Sequence, residues 1–147
     1  MREVPHFILQ AHEVRPGDEL DTDWTLHVDW VEEQRLRTKR NELIRTQLME
    51  GKTVAYRQSG WSLYPRVHSN DLCMYIPVRF EDQVSEDDVV FCIVQPKGYY
   101  YAHLVHAKAW EHGRGQYKFW ISNLKKDKIN GYCYIEHIFG KLVHAMH

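Results

Sequence analysis

Polar and apolar positions along the chain change rhythm at Gly51. From about Asp29 to Glu50 there is no Gly or Pro, and good helix formers dominate. Leu36, Leu43, Ile44 and Leu48 recur at helical spacing, Glu33 stands four residues before Arg37, and Gly51 supplies a stop. The spacing predicts one helix whose apolar stripe is concentrated in its C-terminal half. The basic run Arg35 to Arg40 is flanked by Glu32, Glu33 and Glu42 and reads as a solvated helix face. Upstream, residues 1–23 offer a short possible strand (His6 to Gln10) and the turn-rich acidic stretch RPGDELDTD.

After Gly51 the pattern is that of strands. KTVAYRQ, DLCMYIPV, DDVVFCIVQ, GYYYAHLVHA, QYKFWIS, GYCYIEHI and FGKLVHA are short runs rich in β-branched and aromatic residues, punctuated by Gly, Pro, Asn-Asp and charged turns. Such closely spaced strands without intervening helices predict a mainly β (α+β) protein with coiled, barrel-like sheets, preceded by one N-terminal helix. The boundary falls between an N-terminal extension, residues 1–52, and a β domain, residues 53–147.

Composition narrows the partners. Lys plus Arg (19) nearly cancels Asp plus Glu (20), so no global field draws the chain onto nucleic acid or anionic lipid. The aromatic strands YYY and YKFW could stack bases, but without net basic charge they suit a core or a partner surface better. Cys73, Cys92 and Cys133 are odd in number and unpaired in spacing, and two of them lie in apolar runs, as expected of buried free thiols in a reducing compartment. No stretch approaches the ~18 apolar residues of a spanning helix, and MREVPHFILQ does not read as a signal peptide. A cytoplasmic location without a membrane span is expected. Ten histidines invite a metal reading, but none shows H-E-x-x-H or finger spacing, so neither metal nor other cofactor is expected.

The ordered anchors SGWSLYP, SNDLCMYIPV, EDDVVFCIV, YYAHLVHA, ISNLKKDKINGYC and IFGKLVHA carry a resemblance. In order and distance they resemble the catalytic domain shared by LexA-like repressors and type I signal peptidases, over roughly Thr53 to His147. The resemblance implies that fold, and it places Ser62 at the nucleophile. His103 falls where a general base stands, lysine in LexA-like and bacterial enzymes, histidine in the signal peptidases of the endoplasmic reticulum and archaea. Asp127 is the best match to an aspartate that orients the base. Gly60, Trp61 and Leu63 flank the nucleophile as substrate-binding neighbours, with Trp61 placed either to line the pocket or to plug it. Leu63 replaces the family methionine, and Asn70-Asp71 and Asp87-Asp88 replace two Gly-Asp pairs. Asn and Asp tolerate the left-handed conformation those turns need.

A serine hydroxyl needs a base within hydrogen-bond reach, and imidazole titrates near ~6.5 without help. The resemblance therefore implies a soluble serine endopeptidase or self-processing protein with a Ser62/His103 dyad, its peptide or protein substrate added as a strand beside the sheet. The alternative is an inactive pseudo-peptidase that binds protein or forms a homodimer. The chain lacks helices enough for a helix-turn-helix repressor and the Ala-Gly or Cys-Gly pair that LexA-like proteins cut in themselves.

Overall fold

A computed structural model describes residues 30–147, so the acidic stretch and the strand expected at His6 to Gln10 lie outside the described residues. One helix, α1 (Trp30–Met49), precedes seven strands: β1 (Val54–Gln58), β2 (Asp71–Pro77), β3 (Val89–Val94), β4 (Tyr99–Glu111), β5 (Gln116–Ser122), β6 (Ile129–Cys133) and β7 (Ile138–Met146). Each strand falls on one of the apolar runs. They form a single sheet in the order β1-β2-β7-β3-β4-β5-β6, with every neighbouring pair antiparallel. GYCYIEHI departs from expectation, since the strand stops at Cys133 and a short 3-10 turn, Ile135–His137, follows.

The sheet curls into a half-barrel, and Gln95 at the end of β3 bridges to Tyr132 on β6. Curling creates two cores from the two faces of β3. Its odd positions, Val89 and Phe91, join Ile44 and Leu48 of α1, Tyr56, Leu63, Tyr75 and Leu104 on the helix side. The even positions, Val90, Cys92 and Val94, join Val105, Phe119, Ile121 and Ile138 inside the curl. Strand alternation with both faces buried explains why VVFCIV is continuously apolar.

The stripe on α1 is shorter than its sequence implies. Ile44 and Leu48 are fully buried, but Leu36 is 44% exposed. Helix and sheet approach closely because β7 carries Gly140, where an added Cβ would lie 2.8 Å from Leu48 Cδ1 and 2.9 Å from the Ile76 carbonyl oxygen. The turns that lack the family glycines are made by Asn70 (φ 73°) and Asp87 (φ 74°), both left-handed. All three cysteines are buried and free. Among the described residues, no helix is long and apolar enough to cross a membrane.

Candidate active site

Strand β4 is longer than either neighbour, and the site follows from that mismatch. Its first half pairs with β3 from Tyr99 to Leu104. On the other side the pairing of β4 with β5 starts only at Leu104–Ser122, so Tyr99 to His103 has an unpaired edge among the described residues. Which groups face it follows from the ladder. Val105 exchanges hydrogen bonds with the residues before β3, its N–H to the Asp88 carbonyl at 2.8 Å and its C=O from Asp87 N–H at 2.9 Å. Counting back by alternation, His103 and Tyr101 also turn their backbone groups to β3, while Ala102 and Tyr100 turn theirs to the open edge.

A cavity of about 240 Å³ runs along this edge, and Tyr100, Tyr101, Ala102 and His103 all line it. Gln58, Ser59 and Ser62 close it from the chain leaving β1, and Arg37, Arg40 and Asn41 from α1. Its inner wall is aromatic: Tyr56 and Phe91 line the cavity, and Phe91 stacks on Tyr100 with ring centroids 5.6 Å apart. The serine turn is held against the sheet by Leu124, whose N–H donates to the Ser62 carbonyl at 2.9 Å. Leu63 is buried in the helix-side core directly after the serine. A buried leucine and a backbone clamp thus fix an exposed serine at the mouth of the cavity.

The surroundings of His103 favour a neutral ring with a free lone pair. Its Nδ1 lies 2.8 Å from the Ala102 carbonyl oxygen. A carbonyl only accepts, so Nδ1 carries the proton, and the lone pair of the neutral ring is left on Nε2. The Tyr101 ring packs beside it with centroids 4.7 Å apart. Desolvation by burial pulls its pKa below the ordinary histidine value, Lys128 adds to that, and the bond to Ala102 opposes it. Ser62 and His103 line the same cavity but do not hydrogen-bond to each other.

The remaining expected site residues are placed elsewhere. Asp127 sits in an exposed turn, where its Oδ1 accepts from Asn123 Nδ2 at 2.7 Å and its N–H donates to Asn123 Oδ1. It makes no hydrogen bond to His103; the orienting partner of that ring is the Ala102 carbonyl. Gly60 adopts φ 106° and donates its N–H to Ser69 Oγ. Trp61 neither lines nor plugs the cavity; it is 63% exposed and packs edge-on against Tyr64. Leu63 is a core residue and not a pocket wall. The lysines that could replace the histidine base are also distant: Lys108 Nζ donates to the carbonyls of Glu81 and Val84, and Lys97 is an exposed residue outside the cavity.

Two features were not anticipated from the sequence. Arg40 leaves the basic helix face and lays its guanidinium over the Tyr56 ring, 5.1 Å from the centroid. The second is a clasp behind the serine turn. Asp71, buried at the start of β2, accepts from His147 Nδ1 at 2.7 Å and from the His68 backbone N–H at 2.8 Å. The His68 and His147 rings stack 4.3 Å apart and 8° from parallel. Desolvation pushes the Asp71 carboxyl up, but the bonds from His147 and the His68 backbone outweigh it and hold it below the ordinary range. Donor atoms of His68, Asp71 and His147 lie within 4.8 Å of one another. Parallel imidazoles send their lone pairs along parallel planes, so this arrangement is a hydrogen-bonded clasp; convergence on one ion would require the rings to turn.

No protein-family model matches the chain, and comparisons with curated proteins and with solved structures give no match.

Proposed function

We propose that the protein is a serine peptidase that reads an extended peptide along the free edge of β4 and cuts it with Ser62 and His103. The observation that carries this reading is that Ser62 and His103 both line the cavity beside an unpaired strand edge. A peptide entering there would pair with the N–H and C=O groups of Tyr100 and Ala102, the usual economy of strand addition. Ser62 Oγ would attack the scissile carbonyl while His103 Nε2 takes its proton, then returns that proton to the leaving amine. Water would release the acyl group by the same route. The Ala102 carbonyl holds the tautomer, the role an aspartate fills in a triad. In unliganded sites such contacts are commonly long and tighten with substrate.

A second reading, a protein-binding module that keeps the cleft without the chemistry, is favoured by the missing Ser62–His103 hydrogen bond. A fluorophosphonate separates them. The peptidase reading expects covalent phosphonylation of Ser62, located by peptide mass spectrometry and absent from Ser62→Ala. Wild-type chain that stays unlabelled, and cleaves nothing in a mixed peptide pool, would leave the binding module.

A further inference from the structure

On the α1 wall of the cavity, Arg40 has no carboxylate beside it among the described residues. Arg40 is partly buried, and its Nε is buried without a hydrogen-bond partner. Among the described residues its guanidinium lies over the face of Tyr56. Arg37 and Asn41 line the same wall, and no Asp or Glu lines the cavity among the described residues. A desolvated guanidinium without a carboxylate is costly, and it is retained where a ligand supplies the missing charge.

Desolvation lowers the Arg40 pKa and the charge on Arg37 lowers it further, with Tyr56 opposing both. The planar fork of arginine suits two carboxylate oxygens better than a neutral amide.

From this we infer that the cavity selects an anionic side chain: a peptide laid along the β4 edge presents Asp or Glu to Arg40. The inference rests on reading that edge as a peptide-binding strand and is independent of whether Ser62 reacts. Geometry restricts it further. Side chains of a strand alternate between faces, so only positions two apart can point at α1. The facing residues point toward Tyr101 and His103 and carry no such preference.

The test is binding to the full chain carrying Ser62→Ala, so that no turnover intrudes. The probes are acetylated, amidated hexapeptides of alanine, each with Glu at one position, and their Gln counterparts. Affinity is read from chemical-shift changes in the Ala102 amide and the His103 ring. At one position, or at two positions separated by one residue, Glu should bind about tenfold more tightly than Gln. That preference should collapse toward unity in Arg40→Gln and persist in Arg114→Gln, whose guanidinium pairs with Glu136 far from the cavity. Circular dichroism checks that Arg40→Gln is folded. If it is not, Arg40→Lys decides, since it keeps the charge but loses the fork: a weakened Glu preference supports the subsite and an unchanged one overturns it. Equal binding of Glu and Gln at every position, a preference that survives Arg40→Gln, or no binding of any Glu peptide at millimolar concentration would each overturn it. Glu preference without labelling of Ser62 in the wild type would end the peptidase reading and leave the subsite standing. Labelling without Glu preference would do the reverse.

Discussion

His103, in the cavity wall, and the His68–His147 pair, packed beside Trp61 and Tyr64, are built for different work. His103 lies under Tyr101 with a neutral carbonyl as its partner, a setting that disfavours its charged form. The pair stacks face to face at the surface, and His147 is tied to a buried carboxylate. One environment holds back a proton so that a lone pair is available; the other holds a carboxylate charged so that a turn stays in place. The same residue type does both because the partner decides which ring nitrogen donates and whether a lone pair is left free.

The largest expected effect breaks the contrast outright. His103→Ala should reduce Ser62 acylation about a hundredfold to ten-thousandfold, measured as the rate of fluorophosphonate labelling. His147→Ala should leave that rate within about an order of magnitude, because it loosens the turn without removing the base. Equal losses would show that the two sites do not divide the labour.

The pH profile comes next. With the His103 pKa lowered, labelling should rise with a midpoint below the ordinary histidine value of about 6.5. A midpoint above it would mean that another group is the base.

Stability against acid separates the two sites a third way. Both groups have folded pKa values depressed from their unfolded ones, so each contribution is present above the unfolded pKa and lost as pH falls through the folded one. For His103 that loss begins near the ordinary histidine range; for Asp71 it begins at the carboxylate range and continues below it. Chemical denaturation across pH should therefore show the upper part of the acid slope flattened in His103→Gln and the lower part in Asp71→Asn.

The smallest effect concerns Asp127. Asp127→Asn should change the labelling rate by less than about twofold, since its carboxylate serves an exposed turn and not the imidazole. A loss as large as that of His103→Ala would restore a triad.

What could be read from the sequence was whatever short range fixes. The strands appear where β-branched and aromatic residues cluster, because a pleated backbone with two buried faces needs such side chains at consecutive positions. The left-handed turns at Asn70 and Asp87 were legible for the same reason, since few other residues accept that conformation locally. Where Asp127 sits could not be read from a motif match, which fixes position along the chain but not in space; its carboxylate bonds to Asn123, four residues earlier.

Sequence by itself determined the mainly β architecture, a helix directly before it, and a serine on a bend with a histidine on a later strand. Only the tertiary structure decided that β4 outruns β5, which opens the edge beside His103. It alone decided that Arg40 turns inward over Tyr56 while Thr38 and Lys39 before it are exposed. It alone set His147 beside Asp71, where β7 pairs with β2. The physical reason is common to all three. Strand propensity and turn chemistry act over a few residues, whereas an open edge, an unbalanced charge and a clasp exist only once distant segments have packed against each other.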